Sequence, residues 1–371
     1  MNIGINALHI KWGVNAGTET YLTNIIIPWY EEKSSSNKYF LFCTKRPPWW
    51  KGIRNHFNII EISYASNFII RVLFEQIILP ITHYRKLDVL YSPGYVGCLT
   101  KKKQVITIPD TFAWKYPQEI GKLRSIYWKT IIPLSAKKAK KIISISDSTS
   151  KDIEKFNITQ SCKIVVIKLG GSQLISFLND SDILKRLSLK KNEYYMCVGF
   201  FKNIKNPRNI LKAYNLYCQK SKNLSHRKLV LVGRISGDKA KKILNIAKQT
   251  KGVVIAGRVN NTDLAVLYKN SAGLIFVSLY EGFGIPILEA QSFSCPVVTS
   301  SLSSMPEVVG KGGIIVNPLN PEEIADAMML LYNKVLLKKL KIAGKENLGK
   351  FSWKKASDET LKLLIEVGKN G

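Results

Sequence analysis

The sequence predicts an α/β protein built from two doubly wound parallel-sheet domains, and three observations predict it. At 371 residues the chain is long enough for two separate cores. Short apolar runs of strand length alternate with helix-length patterns, first through 2–167 and again from 194 onward. Between the two series, from about 173 to 192, the pattern fades into a polar, charged stretch that reads as an interdomain linker.

In the first half, strands are expected at 2–8, 38–43, 57–62, 88–91, 104–108, 141–145 and 163–167. Helices are expected near 18–32, 68–82, 122–139 and 148–156. The second series places strands at 194–198, 228–232, 253–256, 273–277, 296–299 and 313–316. Its helices fall near 207–220, 237–249, 262–270, 285–293 and 321–333. A last stretch from Trp353 to about Val367 is amphipathic. The domains are therefore expected at 1–172 and 193–352, joined by the linker 173–192 and followed by a terminal helix over 353–371.

Composition narrows the functional classes. A formal net charge of +30 calls for an anionic partner: nucleic acid, an anionic membrane surface or a phosphorylated substrate. Eleven Lys or Arg residues lie between 101 and 141 against Asp110 and Glu119 alone, with Trp114, Tyr116, Tyr127 and Trp128 among them. That mixture suits an anionic lipid interface better than nucleic acid, for which no recognition helix or RNA-binding motif is seen. No apolar run reaches the roughly 18 residues of a spanning helix; the nearest, 68–79, is interrupted by Arg71 and Glu75. Six scattered cysteines without a C-x-x-C, and no secretory signal, point to reduced thiols in a cytoplasmic protein. The expected location is the inner face of the membrane, held peripherally.

The richest segment is Glu281-Gly282-Phe283-Gly284-Ile285-Pro286-Ile287-Leu288-Glu289, directly after the apolar strand Gly273-Leu274-Ile275-Phe276-Val277. Gly282 and Gly284 permit a tight turn and close backbone approach to a ligand. Pro286 fits a helix start, where a missing N–H costs nothing. A strand, a glycine turn and a helix N-terminus present free N–H groups to an anion such as a diphosphate. The carboxylates of Glu281 and Glu289 repel phosphate and suit sugar and ribose hydroxyls.

Extended through Pro296-Val297-Val298 and Met305-Pro306-Glu307-Val308-Val309-Gly310, this E-x7-E block resembles the donor site of glycosyltransferase family 4. The resemblance implies a GT-B fold: two Rossmann-like domains facing across a cleft, with the C-terminal helix crossing back onto the first. It also implies a retaining transferase that uses a nucleotide-diphosphate sugar and needs no metal or other cofactor. In that reading Glu281 bonds donor-sugar hydroxyls and Glu289 the ribose. The N–H groups around Gly282, Phe283, Gly284 and Ile285 hold the phosphates together with Lys205, from the segment Val198-Gly199-Phe200-Phe201-Lys202-Asn203-Ile204-Lys205-Asn206. Arg234 and Val259 match further donor-side positions at strand ends, and Gly17, in the turn 13–21, matches one that faces the diphosphate.

Asp110 ends the strand Val105-Ile106-Thr107-Ile108-Pro109 and is the first-domain carboxylate expected to meet an acceptor hydroxyl. The sequence departs from the family pattern at Pro109, where a histidine is usual, and at Phe200 and Ile204, where arginines are frequent. His9 reads as a core or rim residue. Asp180-Ser181-Asp182 resembles a metal-binding D-x-D but lies in the linker before a helical stretch, where capping explains it; no metal ligands are assigned. The expected acceptor is a glycan, lipid-linked, in cell-surface polysaccharide or O-antigen synthesis. A nucleotide-sugar epimerase of the same fold and a basic nucleic-acid-binding protein remain the alternatives.

Overall fold

The computed structural model describes residues 1–13, 16–32, 35–52, 54–171, 174–221 and 227–370. It divides into two compact units, Met1–Gly170 with Ser352–Gly371, and Gly171–Phe351. Both are Rossmann-like.

The first unit contains seven strands: β1 (Asn2–Asn6), β2 (Lys38–Cys43), β3 (Phe57–Glu61), β4 (Val89–Ser92), β5 (Gln104–Ile108), β6 (Lys141–Ser144) and β7 (Ile164–Val166). They pair in parallel in the order β3-β2-β1-β4-β5-β6-β7, with Ile3 opposite Tyr39 on one side and Val89 on the other. The order reverses between β1 and β4, the switch point of a doubly wound sheet. Ile3, Ile5, Val105 and Ile106 are fully buried, because helices cover both faces of such a sheet. A closed set of hydroxyls tightens this core: Tyr21 Oη lies 2.6 Å from Tyr91 Oη and 2.9 Å from Thr107 Oγ1.

The helix Trp353–Asn370 belongs to this first unit despite its place at the end of the chain. Its buried residues Ala356, Thr360, Leu363, Leu364 and Val367 recur at three- and four-residue spacing. Ser357 Oγ donates to the Ile25 carbonyl at 2.8 Å, inside the helix Ala16–Glu31. Gly170 lets the main chain of Trp353 approach, since a Cβ there would stand 2.2 Å from the Trp353 nitrogen. The return of the terminal helix to the first domain is thus observed.

The second unit contains β8 (Tyr194–Val198), β9 (Lys228–Val232), β10 (Val253–Gly257), β11 (Gly273–Phe276), β12 (Val297–Ser300) and β13 (Gly313–Val316). They form a parallel sheet in the order β10-β9-β8-β11-β12-β13, with the switch point between β8 and β11.

Two expectations fail. The stretch 173–192 is no linker: where described, it packs on the second unit as the turns Leu174–Phe177 and Ile183–Arg186. Its polar residues are used internally. Ser181 Oγ donates to Asp263 Oδ1 at 2.5 Å, and Arg186 Nη2 meets Asp263 Oδ2 at 2.7 Å. In Asp180-Ser181-Asp182 the serine, not an aspartate, accepts the Ile183 N–H, at 3.1 Å. The second miss is the helix Lys334–Leu348, which the sequence reading left unassigned; it buries Leu340, Gly344 and Asn347.

Candidate active site

The Glu281–Glu289 block occupies the place its sequence suggested. β11 ends at Phe276, the chain turns, and the helix Ile285–Ser292 begins at Gly284. Gly284 has φ 108°, a left-handed conformation that disfavours any side chain, and no side chain caps the helix start. Pro286 is its second residue. Gly284, with no side chain, cannot cap the first-turn N–H groups of this helix. Phe283 is buried, its ring 5.8 Å from that of Phe351, so this residue can offer a ligand only its main chain.

Two serines that the sequence reading did not single out hold the turn. Ser304 Oγ donates to the carbonyls of Glu281 at 2.9 Å and Phe283 at 2.7 Å. Ser303 Oγ donates to the Glu281 carbonyl at 2.5 Å and lies 3.3 Å from the Glu281 nitrogen. Ser303 adopts φ 58°, unusual for a residue with a side chain. The only signal in the sequence was a serine-rich run, Ser300-Ser301-Leu302-Ser303-Ser304, after a strand.

The loop after β8 lies against this turn. Leu279 N–H donates to the Ile204 carbonyl at 2.8 Å, and Asn206, left-handed at φ 63°, donates through Nδ2 to the carbonyls of Val277 and Pro318. These bonds deliver Lys205. Its ammonium lies 2.5 Å from Glu281 Oε1 and 4.5 Å from the centroid of the Phe276 ring. Gly199, at φ 73°, leaves room for the lysine stem; a Cβ there would approach Lys205 Cε to 3.2 Å. Phe200 is a core residue and Ile204 contributes its carbonyl, so neither replaces the frequent arginine, while Lys202 and Arg208 are exposed nearby.

Glu289 sits in the next turns of the same helix and accepts the Tyr268 hydroxyl at 2.8 Å. Burial pushes its carboxyl up to about 7, against the opposing pull of that hydrogen bond and of Lys205. Arg234, exposed, follows β9, and Val259, half-buried, follows β10. Gly233 N–H donates to the Gly257 carbonyl at 2.8 Å, which ties these two strand ends together. Glu281, Gly282, Phe283, Gly284, Ile285 and Lys205 thus meet at one place on the carboxyl edge of the sheet. Arg234 and Val259 lie on neighbouring strands of that edge.

In the first unit, Asp110 follows β5 with both carboxylate oxygens engaged. Oδ2 accepts the Tyr95 hydroxyl at 2.7 Å and Oδ1 the Phe112 N–H at 2.9 Å. Gly17 is exposed in the first turn of Ala16–Glu31, while residues 14 and 15 of its turn lie outside the described residues. His9 packs against Gly94, and burial, then Arg71, lowers its pKa to about 3, which keeps the ring neutral. Among the described residues no three His, Cys, Asp or Glu side chains group as a metal site.

Residues 179–347 match the family model described as glycosyl transferases group 1. The O-antigen chain mannosyltransferase B of Escherichia coli is 28% identical over 280 residues, 74% of this chain and 73% of that protein. The O-antigen chain mannosyltransferase RfbU of Salmonella typhimurium is 25% identical over 245 residues, 63% of this chain and 65% of that one. The Escherichia coli serotype-specific mannosyltransferase WbdA is 22% identical over 87% of this chain, which spans 41% of that longer protein. Among solved structures, the sucrose-phosphate synthase of Thermosynechococcus elongatus superposes with TM-score 0.75 at 16% identity, over the full length of both chains. Anabaena HepE, in complex with UDP and glucose, gives 0.74 at 15% identity, covering 98% of this chain and 99% of its own. The likeness to glycosyl transferases group 1 thus lies over residues 179–347, in a chain whose two Rossmann-like units have the GT-B fold.

Proposed function

We propose that the chain transfers a hexose or deoxyhexose, mannose first among them, from a nucleotide-diphosphate sugar to a lipid-linked glycan in O-antigen or related polysaccharide synthesis. The choice of mannose and of O-antigen rests on the names of its relatives. The observation that carries the chemistry is the meeting of Lys205, Glu281 and an uncapped helix N-terminus on one sheet edge.

In this reading the N–H groups of Phe283, Gly284 and Ile285 and the Lys205 ammonium receive the diphosphate. Charge that develops on the departing phosphate is met by the lysine and the helix dipole, so the reaction would proceed without a metal ion. Glu281, held by Lys205 and by two serines through its carbonyl, takes hydroxyls of the donor sugar. Glu289 takes the ribose, and Arg234 and the Val259 main chain lie on the nucleoside side. Gly17 and Asp110 are assigned to the diphosphate and the acceptor hydroxyl. Glu281 pairs with Lys205 and Glu289 accepts from Tyr268, and neither is assigned here as a covalent nucleophile. The resemblance to a retaining family supports attack on the face the leaving group departs from; the departing phosphate would take the acceptor proton.

Thermal unfolding with a panel of nucleoside diphosphates and their sugars tests the donor site, because a ligand that binds the native state raises its stability by mass action. Stabilisation by one nucleotide family and its sugar is expected. A flat response across the panel would refute the assignment.

A further inference from the structure

The first unit carries a helical segment whose polarity is inverted. Phe68–Leu73 runs through a π turn at Phe74–Ile78 into Leu79–Thr82. Its two charged residues point inward: Arg71 and Glu75 are 17% and 12% exposed, and Glu75 accepts from Asn6 Nδ2 at 3.2 Å. The outer face instead presents Ile69, Leu73, Ile77 and Ile81 at intervals of four, joined by Ile70 and Ile78. Ile69 alone is 68% exposed. A face that meets only water has no physical reason to place isoleucine outside and arginine inside.

The helix Lys122–Lys138 extends this face. Phe68 and Tyr127 meet edge to face at 5.3 Å, and Gly97 bridges the two helices, its carbonyl to Gln76 and its nitrogen to Ser135. Leu123, 86% exposed, then Ile126 and Leu134 continue the apolar stripe. Around it stand the exposed cations Lys122, Arg124, Lys129, Lys137 and Lys138, with Arg85 and Lys86 beyond the end of the first helix. The helix Lys122–Lys138 contains no acidic residue, and the one acid of 68–82 is turned inward.

We infer that this two-helix face is a docking surface for an anionic lipid bilayer, with the isoleucine and leucine side chains entering the interface and the cations meeting lipid phosphates. Charge complementarity favours this occupant: apolar residues ringed by one sign of charge fit an anionic interface. The contact lies on the surface, since no described helix is long and apolar enough to cross a membrane. Of the basic and aromatic stretch between 101 and 141 the surface uses the helix Lys122–Lys138, and it adds the apolar face of 68–82. Several other residues of that stretch serve the fold: Lys101 donates to the Tyr84 and Leu87 carbonyls, Lys115 pairs with Asp152, and Trp114 stacks on Phe156.

The inference is independent of the donor site, and flotation without substrate tests it. The full chain is mixed with phosphatidylcholine vesicles, with and without phosphatidylglycerol, at low and high salt. Expected is flotation that depends on phosphatidylglycerol and is lost at high salt. The variant Lys122→Gln/Arg124→Gln/Lys129→Gln should partition more weakly by about fivefold per cation, about 100-fold together. Leu73→Gln/Ile77→Gln should lose binding at low salt while it keeps the parent's circular dichroism and its nucleotide response in thermal unfolding. Failure of the parent chain to float, or equal flotation of all three proteins, overturns the inference. So does a concentration-dependent dimer in light scattering that Leu73→Gln/Ile77→Gln abolishes, since the occupant would then be a second copy.

Discussion

Lys205→Met separates a donor-site lysine from a structural one. The ammonium makes one charge-assisted contact at 2.5 Å, to Glu281, in side chains only 16% and 18% exposed. If it also receives a diphosphate oxygen, its loss removes about 1.5–3 kcal/mol of binding. That corresponds to about 10- to 150-fold in nucleoside-diphosphate affinity and in kcat/KM. Stability should fall as well, because Glu281 keeps a carboxylate without its cation, at about 1–3 kcal/mol rather than the larger cost of a fully buried charge. Lys205→Met/Glu281→Gln then resolves the two effects. With no charge left unpaired, its unfolding temperature should recover toward that of the parent, whereas transfer should remain lost. The assays are thermal unfolding with and without nucleoside diphosphate, and initial rates of sugar transfer to acceptor. Unchanged nucleotide affinity in the single variant, or transfer that recovers in the double variant along with stability, would show that the ion pair serves the fold alone.

Three further outcomes follow from the geometry. Glu75 and Glu289 are both pushed up by burial, from the usual 4.5 to about 7. The unfolded chain therefore releases these protons first, and stability should decline as pH rises from 4.5 to 7, by at most about 3 kcal/mol for each group. Glu75→Gln and Glu289→Gln should each flatten that slope in urea titrations across the window, and an unchanged slope would contradict the burial of the carboxyl concerned. Ser304→Ala leaves the Phe283 carbonyl without its hydroxyl and the Glu281 carbonyl with Ser303 alone; about 1–3 kcal/mol of stability and a larger fall in kcat than in acceptor affinity are expected. A normal kcat would remove Ser304 from the positioning of Glu281. Gly170→Ala drives a Cβ into the main chain of Trp353, so the terminal helix should release and become sensitive to protease. Protection equal to that of the parent chain would mean the neighbouring backbone gives way.

The features legible in the sequence were those that local backbone chemistry dictates. The strand before Glu281, the glycines of its turn and the proline at the helix start each constrain their own neighbourhood, and all the strands of both sheets announced themselves as short apolar runs. Long-range bonds left no such mark. Ser303 and Ser304 act on a carbonyl more than twenty residues earlier, and a serine-rich run alone reads as a loop. Residues 174–192 looked like a linker because they are polar, yet Ser181 and Arg186 converge on Asp263, some eighty residues away. Lys334–Leu348 escaped notice because lysines dilute its apolar spacing and its buried face rests partly on Gly344 and Asn347.

The segment 68–82 shows a helical pattern that the sequence predicts in place but not in orientation. Arg71 and Glu75 interrupt its apolar run four residues apart, and an amphipathic helix is ordinarily oriented with such charges outward. The fold decides otherwise because Glu75 has a partner in the core, Asn6 at the end of β1, and Arg71 lies within 4.0 Å of Glu75. Arg71 Nε finds no hydrogen-bond partner there, so the inward charges by themselves do not account for the outward isoleucines, and the membrane contact supplies the missing reason. A variant with Arg71 and Glu75 both replaced by leucine should therefore gain stability toward urea, since a paired charge at this depth contributes little beyond its desolvation cost. Because the outer isoleucines stay in place, its flotation with phosphatidylglycerol vesicles should equal that of the parent. Loss of flotation in that variant would show that the inward charges, and not the outward side chains, govern the membrane contact.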